Sequence, residues 1–264
     1  MRVLLAALGL LLASPHVCAD EAPETRRRGY AFDSPRVLAE QRLFGIAHGV
    51  RLLAEACREV PGSAAAVDSA YSAWRAEQQV AIDLAAAGLA RYHFGGAATA
   101  ADWQAIAGAL GLKDRLEPTA PSEDLAAACA SLPEALAQPR YALAERMRLE
   151  ELMAQVAAAI EVEAHGAWCG KRMPEAAREV HAARYENWRE INLPVLKQAQ
   201  EALAGAWPAD APAPTFDDWL AQRKRDMRIQ GSIAQCLEYS ETLKQPQAAL
   251  RNVFNAPPAA EPRP

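Results

Sequence analysis

The sequence predicts an all-α protein, on three observations. Alanine is abundant while glycine is sparse, at 14 in 264 residues. Alternating β-branched runs are nearly absent, and apolar residues recur at helical spacing between proline and glycine stops. A third observation sharpens the class: scarce residues recur in the same order along the two halves of the chain.

The first half reads Cys57, Pro61, Tyr71, Trp74-Arg75, Thr99, Asp102-Trp103, Cys129, Gln138-Pro139, and the second reads Cys169, Pro174, Tyr185, Trp188-Arg189, Thr215, Asp218-Trp219, Cys236, Gln245-Pro246. Cysteine to first tryptophan is 17 residues in one half and 19 in the other, and first to second tryptophan is 29 against 31. Tyr-x-x-Trp-Arg, Thr-x-x-Asp-Trp and the cysteine nine residues before Gln-Pro keep their spacing unchanged. The expected architecture is therefore a tandem duplication of a helical-bundle unit: two similar, disulfide-closed halves joined by a long shared helix. Residues 34–138 form the first repeat, 139–245 the second, and 246–264 a closing helix with a proline-rich tail.

At the start, Arg2 precedes an apolar stretch from Val3 to Ala13, and Val17-Cys18-Ala19 fits a cleavage site, so residues 1–19 read as a signal peptide. The apolar run stops at Ser14, Pro15 and His16, short of the roughly 20 residues a membrane span needs. A lipidated Cys18 is the rival, but the residues before it are poor company for such a site. The mature chain would begin at Asp20, with 20–33 an extended segment.

Ser34 and Pro35 open a helix expected to reach Val60 and to bury Leu38, Leu43, Phe44, Ala47 and Val50. Pro61 and Gly62 stop it. A second helix, from Ser63 to Phe94, is expected to bury Val67, Tyr71, Trp74, Val80 or Ala81, and Leu84, ending at Gly95 and Gly96. Thr99-x-x-Asp102 and Thr215-x-x-Asp218 read as capping boxes with a short acid, each opening a short helix, near 100–110 and 216–230. Glu117–Pro121 and Trp207–Pro214 read as proline-rich loops. Ser122 and Ser232 begin the helices that carry Cys129 and Cys236. The long helix is expected from Pro139 to about Met173, carrying Tyr141 or Leu143, Met147, Leu152, Val156, Ile160 and Trp168. A last short helix would run from Pro246 to about Asn255.

Removing residues 1–19 takes away one of 28 basic side chains and none of 33 acidic ones, leaving a formal charge of −6. That balance argues against nucleic acid, and the basic runs Arg26-Arg27-Arg28 and Arg223-Lys224-Arg225 are short enough to be solvated surface. No later stretch is apolar enough to span a membrane, so the mature chain is expected to lack a transmembrane segment. Four cysteines then remain, Cys57, Cys129, Cys169 and Cys236, an even number with no close pair. Structural disulfides are expected rather than a zinc knuckle, CxxC or haem motif. Duplication favours the same bond in each half, Cys57 with Cys129 and Cys169 with Cys236.

Candidates for chemistry are few. Glu161 and His165 stand four residues apart on the long helix, and His181 could approach, but neither Glu-x-x-His pairs nor His-Glu-x-x-His is present. No Gly-x-Ser-x-Gly elbow occurs. Glu150-Glu151 and Asp217-Asp218 read as helix-surface acids, Trp74 and Trp188 as core, Arg75 and Arg189 as surface charges. No cofactor and no metal are expected. The function expected is that of a non-catalytic binding, inhibitor or scaffold protein in the periplasm or secreted from a bacterial envelope, its partner another envelope protein or a cell-wall component, with the oligomeric state left open. The alternative is an enzyme or small-ligand binder with a cleft between the halves, where Tyr141, His165, His181 and the tryptophans would gather.

Overall fold

The computed structural model describes residues 27–95, 103–116, 122–206, 215–230 and 232–256. The expected signal peptide, the Thr99–Asp102 box, both proline-rich loops and the terminal tail from 257 lie outside the described residues. Helices follow in the order α1 Pro35–Cys57, α2 Ala64–Phe94, α3 Trp103–Ala109, α4 Ser122–Leu136, α5 Leu143–Cys169, α6 Glu175–Ala206, α7 Phe216–Gln230, α8 Ile233–Thr242 and α9 Leu250–Val253. Among the described residues there is no strand, and no helix is long and apolar enough to cross a membrane. The protein is all-helical.

α1 ends at Cys57, three residues short of the expected Val60, because the chain goes into consecutive tight turns before Gly62, whose φ of +82° an L side chain rarely adopts. It buries Leu43, Phe44, Ala47 and Val50 as expected, but Leu38 only partly. Ser34 takes the N-cap position with an extended backbone, yet its side chain makes no capping bond. α2 stops at Gly95, φ +87°. Its inner face is as expected in part: Val67 and Trp74 are buried, and Tyr71 and Ala81 pack partly buried against the core, but Val80 and Leu84 are 71% and 60% exposed, and Gln78, Ile82, Ala85 and Leu89 complete the face. Those positions fall four, eight, eleven and fifteen residues along from Trp74, a stricter helical stripe than the apolar residues alone suggest.

The Gln-Pro pairs open single 3-10 turns, Pro139–Tyr141 and Pro246–Ala248, rather than the long helices that follow. Each turn is held from an earlier helix. Trp74 Nε1 donates to the carbonyl of Tyr141 at 2.9 Å, and Trp188 Nε1 to that of Ala248 at 2.6 Å. Gln78 Oε1 accepts the Leu143 amide at 2.8 Å, and Asn192 Oδ1 the Leu250 amide at 2.7 Å. These side-chain bonds take backbone groups that would otherwise pair inside a helix, so α5 and α9 start one turn later than proline spacing predicts. Leu143 and Leu250, both 0% exposed, are driven into the preceding cores, each burial contributing roughly 1.5–3 kcal/mol.

One core gathers Leu43, Val50, Trp74, Ile82, Leu132 and Leu143. A second joins Phe44, Leu89, Phe94, Ile106 and Leu110. In the later half, Val156, Ile160, Trp188, Leu196, Leu243 and Leu250 form one cluster, and Trp168, Met173 and Met227 surround a disulfide in another. Cys57 bonds Cys129, and Cys169 bonds Cys236, with Cα separations of 5.4 and 5.5 Å. These are the two pairs the spacing selects. Each ties the end of one long helix to a later short one, and all four cysteines are buried.

Ahead of α1, the segment from Arg27 is pinned down by two buried polar groups. Gln41 accepts the Ala31 amide and donates to the Gly29 carbonyl, and His93 Nδ1 donates to the Arg27 carbonyl at 2.8 Å. His93 Nε2 then accepts from the Gln41 amide at 3.4 Å. Every polar atom of the pair is used, which is what lets both lie inside.

Candidate functional site

A groove of about 710 Å3 opens between α5, α6 and α7. Its floor is Val156 and Leu196, 2% and 5% exposed, and its sides include Met153 and Leu193, 45% and 39% exposed. Phe216 and Trp219 enter from α7, whose start is fixed by the capping box: Asp218 N–H donates to Thr215 Oγ1 at 3.1 Å while Asp218 Oδ2 accepts from Thr215. The lining runs along α6 from Arg189 to Ala204, a reach of about 22 Å at 1.5 Å per residue.

One end of the groove is closed by a polar cluster. Tyr185 Oη donates to Glu163 at 2.5 Å, and Arg189 Nε to the other oxygen at 3.1 Å. Burial first, and then the Glu163 carboxylate, push the Tyr185 phenol above its ordinary value. Lys197 and Asp217, also at the edge, have no ion-pair partner among the described residues.

In the first half, the residues at the same distance from the cysteine are closely packed. Counted back from Cys57 and Cys169, Phe44 and Val156 stand at the same position, 13 residues earlier. Phe44 is 0% exposed and its ring lies 4.3 Å from that of Trp103. Trp103 Nε1 donates to His48 Nδ1 at 2.9 Å, His48 Nε2 donates to the Lys113 carbonyl at 2.7 Å, and the guanidinium of Arg75 lies 5.5 Å from the centre of the Trp103 ring. Ile160 stands where His48 does, so the second half lacks that anchor for Trp219.

The groups named for chemistry are not assembled. Glu161 is gripped by Arg223 through both oxygens, at 2.7 and 3.0 Å. His165 Nδ1 donates to the Glu161 carbonyl, and its ring stacks on Tyr239 at 4.1 Å. His181 is 1% exposed, and neither ring nitrogen has a hydrogen-bond partner among the described residues. Among the described residues no three His, Cys, Asp or Glu side chains converge. Tyr141 packs against the first core, while both histidines lie in the second half, so they do not meet across the seam. Glu150 pairs with Arg42 at 2.6 Å, and Trp74 and Trp188 are each 4% exposed.

Comparison with family models, with curated proteins and with solved structures returns no match.

Proposed function

We propose that this is an exported, non-catalytic binding protein of the bacterial cell envelope, built as a tandem duplication of a disulfide-closed helical unit. It docks an apolar, helical segment of another envelope protein in the groove between α5, α6 and α7. The observation that carries the reading is the contrast between that groove and its filled counterpart around Phe44 and Trp103. Two copies of one core, one plugged by its own side chain and the other left open, differ in what they can receive.

Duplication is supported by the paired bonds Trp74–Tyr141 with Trp188–Ala248, and Gln78–Leu143 with Asn192–Leu250, which recur at matching places. α5 then closes the first repeat, 34–138, and opens the second, 139–245. Export is supported by the leader-like residues 1–19 and by two buried disulfides, which persist in oxidising compartments. The groove's length suits three to four turns of an amphipathic helix with apolar anchors at i, i+3 or i+4 and i+7, and Lys197 and Asp217, which have no ion-pair partner among the described residues, suit a partner with both charges at its flanks. A catalytic cleft between the halves has less support, since Leu143 fills the first core from α5.

The test places a photo-crosslinking residue at Leu193 in the mature protein within intact envelopes. Expected is a single crosslinked partner whose apolar helix carries the crosslink, lost in Val156→Phe. Crosslinking unchanged by Val156→Phe would overturn the reading.

A further inference from the structure

A second concavity, of about 530 Å3, lies at the start of α1 and owes nothing to the groove between α5, α6 and α7. Arg27, Arg36 and Arg91 line it together with one acid, Glu40, and the Arg27 guanidinium lies over the Tyr92 ring. Glu40 is 3% exposed and its carboxyl lies over Gly88, where any added Cβ would overlap it. That burial raises the carboxyl above its ordinary value, and Arg36 holds it from one side, Nε to Oε1 at 3.0 Å. Arg36 Nη1 also reaches Asn255 Oδ1 at 2.7 Å, so this guanidinium is fixed in place by both neighbours.

The guanidinium of Arg91, three residues before the end of α2, makes no hydrogen bond or close ion pair among the described residues, and its charge acts on the Glu40 carboxyl only through space. Ser34 is 1% exposed, lines the concavity, and has no hydrogen-bond partner for its hydroxyl among the described residues. Beside it the backbone amides of Arg36 and Val37 are in the first turn of α1, where helical amides lack intrahelical acceptors. A guanidinium without a hydrogen bond, a fixed guanidinium, a hydroxyl without a partner among the described residues and a helix start all supply donors, and together they outnumber the Glu40 carboxylate and the Asn255 amide oxygen.

We propose that this concavity is an oxyanion-binding site that takes a phosphate or carboxylate group, held by Arg36 and Arg91, with Ser34 and the first amides of α1 donating to its oxygens. Glu40 is a positioning residue: it fixes Arg36 and does not touch the anion.

The probe is inorganic phosphate, titrated into the full mature protein and read by the thermal midpoint against sodium chloride at equal ionic strength. Phosphate should raise the midpoint beyond chloride, in a saturable way. Arg91→Gln should raise the half-saturating phosphate concentration about tenfold, the loss expected for one charge-assisted hydrogen bond, with each variant's midpoint referred to its own value in chloride. Ser34→Ala should weaken saturation in the same sense. Lys171→Gln, an exposed cation elsewhere, should change nothing. A phosphate effect no larger than that of chloride, or an equal change in Lys171→Gln and Arg91→Gln, would overturn the proposal.

Discussion

The ring of Tyr185 fills the space that a side chain at Gly166 would take: a Cβ there would lie 2.5 Å from Cε2 and 2.7 Å from Cζ. The ring cannot swing aside without giving up its bond to Glu163, which also holds Arg189. Gly166→Ala should therefore destabilise by about 1–3 kcal/mol, the range for overpacking a tight interior. Urea unfolding measures it. A cost near zero would mean that α5 and α6 separate easily here.

Gln78 and Asn192 each serve a buried backbone amide. Replacing either by Leu keeps the volume but leaves the Leu143 or Leu250 amide without its acceptor, at about 1–3 kcal/mol. The two variants should cost similar amounts in denaturant titrations. A loss at one and none at the other would argue against equivalent roles.

Each disulfide closes a loop of about 70 residues, for which the chain-entropy argument gives on the order of 4 kcal/mol, less any strain. In the double variant Cys57→Ala/Cys129→Ala, amide exchange should quicken in α1 and α4 well before α6 and α8. Uniform acceleration throughout would show that the halves unfold as one.

Acid should loosen the second half. Burial holds the His181 imidazole below the ordinary value of 6.5, and Arg184 and His165 push the same way. The unfolded chain takes up this proton near pH 6.5 while the folded one refuses it, so the stability is whole above that pH and declines as pH falls toward the depressed folded value. His93, lowered by burial and partly restored by its bond to the Arg27 carbonyl, acts in the same direction. The thermal midpoint should drop between pH 7.5 and 5, and His181→Leu should make the drop shallower. An unaltered slope would remove His181 from the account.

The helical class and the pairing of cysteines could be read from composition and from the spacing of rare residues, because tryptophan and cysteine are few enough for their order to carry information. Helix faces are less legible. Val80 and Leu84 are apolar yet exposed, while Gln78 is polar yet buried, because a backbone amide 65 residues away supplies its partner. The signal was present: Gln78 and Asn192 both stand four residues after the aligned tryptophans. The groove left a fainter trace, since Phe44 against Val156 is a change of size within one apolar class. The arginine concavity left none, because Arg27, Arg36 and Arg91 meet only once α1 and α2 are packed.

The placing of the disulfides also governs how the protein would withstand proteases. A backbone cut anywhere from 58 to 128, or from 170 to 235, leaves its fragments tied across Cys57–Cys129 or Cys169–Cys236. The nicked molecule keeps its mass until a reductant reaches sulfurs that lie inside. Severance between the two covalent rings requires a cut between Cys129 and Cys169. There the chain is regular helix in α4 and α5 apart from 137–142, and that short stretch is clasped by Trp74 and Gln78. The two rings thus shelter the stretches inside them, and helix and clasp shelter the link between.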